Sequence, residues 1–139
     1  MNTIRLPASA EQLRAMLDFI RQGAEAAGLG PKAVKEIMVA VEEPLMNVIS
    51  YAYPGGGGDV EIAHGAEQER GLVIEITDHG VPFDPLSLPD PDVNAPLEDR
   101  RAGGLGIYMM RRMMDEVSYR REEGRNVLTL AKRPGAATS

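Results

Sequence analysis

The stretch PKAVKEIMVAVEEPLMNVISYAY, residues 31–53, decides how this chain folds. At about 100° per residue, Ile37, Met38, Val41, Leu45, Val48, Ile49 and Ala52 fall within about 60° of Val34. That apolar stripe predicts one long amphipathic helix to about Tyr53. Pro31 suits its first position, and Pro54 with the glycines at 55–58 ends it. Glu43 lands at about 180° and Asn47 at about 220° from Val34, on the face opposite the core. At i, i+4 a carboxylate and an amide oxygen converge there. Two readings are open: a general base beside a ligand for a hard cation, or a solvated helix face. Pro44, inside the pattern, removes a backbone hydrogen bond and crowds the preceding turn at a cost of ~3 kcal/mol.

Outward from this helix the pattern alternates between types. Upstream, Ile4 and Leu6 alternate with polar residues in a short strand ending at Pro7. Ser9 and Gln12 then form a capping box ahead of Leu13, Met16, Leu17, Ile20 and Ala24, which predicts a first helix stopping near Gly28. Downstream, residues 59–64 and 72–77 read as strands joined by a polar turn. From 78 to 106 the periodicity is lost and Pro82, Pro85, Pro89, Pro91 and Pro96 are interleaved with acids. A segment of that length points to a binding lid or to disorder. Beyond it, residues 105–116 read as a Met-rich helix with Ile107, Met110, Met114 and Val117 on one stripe, and 117–121 with 126–133 as a hairpin. The order β-α-α-β-β-lid-α-β-β predicts an α+β domain over residues 1–133, a two-layer sandwich with its helices on one sheet face, and a disordered tail at 134–139.

Composition narrows the function. The chain has 139 residues, 43% hydrophobic and 26% charged, enough for one buried core. No apolar run approaches the ~20 residues of a membrane span, and no secretory signal is visible, so the expectation is a cytoplasmic protein away from membranes. With no cysteine, thiolate catalysis, disulfides and thiolate metal sites are excluded. A net charge of −6 disfavours direct nucleic-acid binding.

Two further constellations carry chemistry. In Asp78-His79-Gly80-Val81-Pro82-Phe83-Asp84 a carboxylate leaves the end of an apolar strand, followed by a glycine that lets backbone pass close to a ligand. This arrangement can read the amino group of a purine, or it is an ordinary strand exit. In Ala102-Gly103-Gly104-Leu105-Gly106-Ile107 glycines enter a helix, where exposed N–H groups and the helix dipole suit phosphates. It lacks the G-K-[ST] of a P-loop.

Together the three segments resemble the GHKL ATPase superfamily, and within it the bacterial anti-sigma factor serine/threonine kinases, histidine kinase-like ATPase domains in fold. Glu43-Pro44-Leu45-Met46-Asn47 is similar to the N-box. Asp78 to Asp84 resembles the first glycine box in its D-x-G-x-P-F-D form, and Gly104 to Val117 resembles the second. The chain differs from many relatives at Pro44, Tyr51 and Ala102. The resemblance implies a Bergerat ATP-binding fold with a mixed, mainly antiparallel sheet and three helices, the lid closing over ATP. It implies Glu43 as catalytic base, Asn47 as Mg²⁺ ligand and Asp78 as acceptor of the adenine amino group. It also implies Gly80, Phe83, Gly103, Gly104, Leu105 and Gly106 as nucleotide-binding residues.

The function so implied is an ATP-dependent protein kinase, expected as a homodimer, that sequesters a sigma factor and phosphorylates a STAS-domain antagonist. The alternative is a non-catalytic ATP-binding partner-switching module in which Pro44 has disabled Glu43.

Overall fold

The computed structural model describes residues 1–87 and 104–134. Five strands form the sheet: β1 (Asn2–Pro7), β2 (Asp59–Glu67), β3 (Gly71–Asp78), β4 (Glu116–Glu122) and β5 (Arg125–Lys132). They lie in the order β1-β2-β3-β5-β4, and each pairing is antiparallel. The helices are α1 (Leu13–Ala26), α2 (Pro31–Asn47) and α3 (Gly104–Met113). This is the expected α+β sandwich, with a sheet that is antiparallel at every pairing rather than mixed.

Strand alternation builds the core layer. Val60 and Ile62 of β2, Leu72, Ile74 and Ile76 of β3, and Leu128 and Leu130 of β5 are buried against Met16 and Ile20 of α1, Ile37, Val41 and Leu45 of α2, and Ile107 and Met110 of α3. Register sets two adjacent rows across the sheet. Ile4, Ile62, Ile76, Leu128 and Tyr119 form an apolar one, and the next, toward one end, is Leu6, Val60, Asp78, Asn126 and Arg121. The point where apolar pairing gives way to polar pairing is where the site begins.

Several elements differ from the expected boundaries. Ser9 precedes a 3₁₀ turn at Ala10–Gln12 with no side-chain cap bond, so the capping box is not formed; Gln12 N–H donates to the Ser9 carbonyl instead. The long second helix is α-helical only to Asn47 and continues as a π turn over Val48–Ala52. Pro44 is buried inside α2, one turn before that widening, in keeping with the donor it withdraws from the ladder. The Met stripe packs as expected, with Ile107, Met110 and Met114 buried. Lys132 Nζ donates to the Met113 carbonyl and lies 3.4 Å from Glu36 Oε1, tying the C-terminal end of α3 to β5 and α2. Pro85–Ser87 forms a short 3₁₀ turn at the start of the expected lid; residues 88–103, and 135–139 of the expected tail, lie outside the described residues.

Candidate functional site

A cleft of about 450 Å³, part of it open solvent, lies where the polar row meets α2 and the π turn. Ile76 and Leu128 come from the sheet, Pro44, Asn47, Val48 and Tyr51 from the helix, and Val81, Phe83 and Pro85 from the loop after β3. Asp78 and Asn126 stand at its polar end, with Tyr119 behind them.

Asp78 is buried, with 5% of its surface exposed, yet it lines this cleft. Its Oδ1 accepts from Gly80 N at 2.8 Å and from Asn126 Nδ2 at 2.9 Å. Oδ2 has no protein donor among the described residues. A buried carboxylate needs donors. Here one oxygen is held by two donors and the other by none among the described residues.

Gly80 is required by the space around it. A β-carbon there would stand 2.1 Å from the Ala52 carbonyl oxygen, which already accepts from Val81 N at 2.9 Å. The end of the π turn therefore fixes the glycine box against α2. Arg121 Nη1 donates to the Gly80 carbonyl at 2.8 Å, and the Tyr53 hydroxyl accepts from His79 N at 2.8 Å while donating to Asp59 O at 2.6 Å. The His79 side chain is exposed.

The other end of the site lies between α2 and α3. Glu43 is half-buried, and a β-carbon on Gly106 would stand 2.5 Å from its Oε2. Burial raises the Glu43 pKa above the ordinary carboxylate value, and the adjacent Glu42 raises it further. α3 packs alongside α2 and covers Glu43, while Asn47 lines the cleft, and both are partly buried.

The structure brings Asn47, Asp78 and Phe83 to one cleft, and sets Glu43 against Gly106 rather than on the cleft wall. Gly80 backs the cleft from behind, bordering instead a shallow bowl with His79 and Arg121. Gly104 and Leu105 begin α3; Gly103 lies outside the described residues. Sequence reasoning missed Tyr119 and Asn126. The signal was the register: Asn126 is the cross-strand partner of Asp78.

A purine fits this donor set. Apolar walls for the ring faces end at one unpartnered carboxylate oxygen, the complement of an amino group. For phosphates, α3 offers an N-terminus carrying Gly104 and Gly106. Among the described residues no group of three or more metal-ligating side chains is assembled. Asn47 would therefore hold a hard cation only together with phosphate oxygens and water, as Mg²⁺ is commonly held.

The family model for the histidine kinase-like ATPase domain matches residues 6–132. The chain belongs to that family. Serine-protein kinase RsbW of Bacillus cereus (strain G9842) is 30% identical over 129 residues, covering 90% of this chain and 80% of the relative. The enzyme of the same name from Bacillus mycoides (strain KBAB4) is 28% identical over the same length. The solved structure of the RsbU and RsbW domains of Rv1364c from Mycobacterium tuberculosis superposes with a TM-score of 0.59 at 15% identity, over 96% of this chain. This chain spans 32% of that one. The likeness is one of fold. No helix among the described residues is long and apolar enough to cross a membrane.

Proposed function

We propose that this histidine kinase-like ATPase domain is a protein serine/threonine kinase that binds ATP with Mg²⁺, sequesters a sigma factor, and phosphorylates a serine on a STAS-domain antagonist. The single observation that carries the ATP reading is the Asp78 carboxylate, lining the end of an apolar slot with one oxygen that no protein group donates to among the described residues. Serine-protein kinase as the activity of two relatives supports transfer to a protein hydroxyl.

In this reading Asp78 Oδ2 accepts from the adenine amino group while Phe83 and Val48 flank the ring. Gly80 lets the loop after β3 pass against Ala52 and donates to Asp78 Oδ1, which holds the acceptor in place, and residues 103–106 bring N–H groups to the phosphates. Glu43 takes the proton of the attacking serine hydroxyl. Mg²⁺, bound through Asn47, neutralises phosphate charge. A homodimer working in the cytoplasm completes the proposal.

Glu43 packs on Gly106 instead of bordering the cleft, and that observation favours a second reading, a non-catalytic ATP-binding module that switches partners. One experiment separates the two. The full chain is mixed with labelled ATP, Mg²⁺ and a STAS-domain protein from the same genome. As a kinase it labels the STAS protein, and Glu43→Ala slows labelling by ~10²–10⁴-fold with ATP affinity held within a few-fold. Tight ATP binding with no labelling supports the module. Unchanged labelling by Glu43→Ala removes Glu43 as the base.

A further inference from the structure

Asn126 uses its whole hydrogen-bonding capacity. Its Nδ2 donates to Asp78 Oδ1 at 2.9 Å and to the Val81 carbonyl at 2.8 Å. Its Oδ1 accepts from the Tyr119 hydroxyl at 2.6 Å and from Phe83 N at 3.3 Å. Reversing the amide would turn an oxygen toward two acceptors and an NH₂ toward a backbone N–H. The network therefore permits one orientation, and its hydroxyl arm comes from β4, the edge strand next to β5.

We infer that Asn126, locked by Tyr119, is a positioning residue that fixes which oxygen of Asp78 faces the cleft, and so makes the site selective for a 6-amino purine. The inference rests on the proposed reading of Asp78 as the base acceptor. A carboxylate torsion is broad and roughly two-fold, so a carboxylate held by one donor has freedom that one held by two lacks. With Gly80 N and Asn126 Nδ2 both on Oδ1, Oδ2 is presented at a fixed angle as a pure acceptor. The same amide ties down Val81 and Phe83, the loop residues on the cleft wall, so the carboxylate and the ring-flanking loop share one support. An adenine amino group donates into this acceptor. A 6-oxo purine sets oxygen against oxygen, and an unsubstituted purine leaves Oδ2 dry and unpaired.

The test is calorimetric binding of ATP, inosine triphosphate and purine riboside triphosphate to the full chain and to Asn126→Ala and Tyr119→Phe. The wild type should prefer ATP over purine riboside triphosphate by about 10-fold or more. Asn126→Ala should collapse that ratio to within about 3-fold by weakening ATP selectively, and Tyr119→Phe should lower it in the same direction by less. Tyr119→Phe keeps the ring, and decides the matter should Asn126→Ala not fold. Parallel weakening of both nucleotides, or an unchanged ratio, in a folded variant overturns the inference and leaves ATP as the ligand. Equal binding of the two nucleotides by the wild type overturns the reading of Asp78 itself, and the inference with it.

Discussion

A β-carbon on Gly106 would sit 2.5 Å from Oε2 of Glu43 and 2.6 Å from its carboxyl carbon. The absence of a side chain on α3 is what leaves room for the acid on α2. Because the blocking atoms are the far end of a flexible side chain, Gly106→Ala should displace the carboxylate rather than unfold the helix. Alanine also has the better helix propensity by ~1 kcal/mol. The expected result is a melting temperature equal to or above wild type, with phosphoryl transfer lowered ~10²-fold or more. Thermal melts and transfer assays on one preparation check it, and wild-type transfer would show that Glu43 acts from elsewhere.

The raised Glu43 pKa has two measurable signs. As a base Glu43 must be ionised, so transfer should fall with decreasing pH at a higher pH than an ordinary carboxylate would give. Glu42→Gln, which removes the second cause of the shift, should move that acid limb down. For stability the sign is opposite. A carboxyl whose folded pKa is raised favours the fold below its unfolded pKa and loses that contribution as pH rises through the folded value. Glu43→Gln should therefore raise the melting temperature at neutral pH and lose the advantage in acid.

Asp78→Asn offers a change of preference rather than a simple loss. Oδ1 of the new amide can keep both donors, Gly80 N and Asn126 Nδ2, which turns its NH₂ toward the cleft. ATP should weaken by ~1–3 kcal/mol, while inosine triphosphate, with an acceptor at the same position, weakens less or gains. Competition binding with the two nucleotides reads this, and equal losses would mean that Asp78 does not face the base.

His64 supplies a pH test away from the site. It is 6% exposed, its ring centroid is 4.5 Å from that of Phe19, and it packs on Gly23 of α1. Burial, with a smaller contribution from the nearby N-terminus, lowers its pKa from 6.5. A lowered histidine pKa gives stability that is present above the unfolded value and lost as pH falls through the folded one. Melting temperature should drop below about pH 6.5, and His64→Leu should flatten that limb.

Much of this was legible in the chain because two periods differ so plainly. The 3.6-residue spacing of Ile37, Val41 and Leu45 and the two-residue spacing of Val60 and Ile62 led directly to helix and strand, and both are core. The face carrying Glu43 and Asn47 was found by the same wheel, but its solvation was not decidable from it. A helix wheel knows one partner surface, and α2 has two, the sheet and α3. The capping box at Ser9 failed because the chain turned in 3₁₀ geometry there. The π turn was hidden because nothing local distinguishes residues 48–52 from further helix. Asn126 and Tyr119 escaped for another reason. Their role depends on strand register, a relation between residues 48 apart in the case of Asp78 and Asn126.

The β4–β5 turn carries a consequence for engineering. Glu122 pairs with Arg125 across a two-residue connection in which Glu123 and Gly124 both have positive φ, 50° and 77°. The next pair inward is Arg121 with Asn126. Since a slip of one residue turns every side chain of a strand to its other face, the length of this tip acts as a ruler for the Tyr119–Asn126 contact between β4 and β5. The hairpin end is thus a poor place for a tag, a grafted loop or a permuted terminus, although it lies at the surface and outside the apolar core.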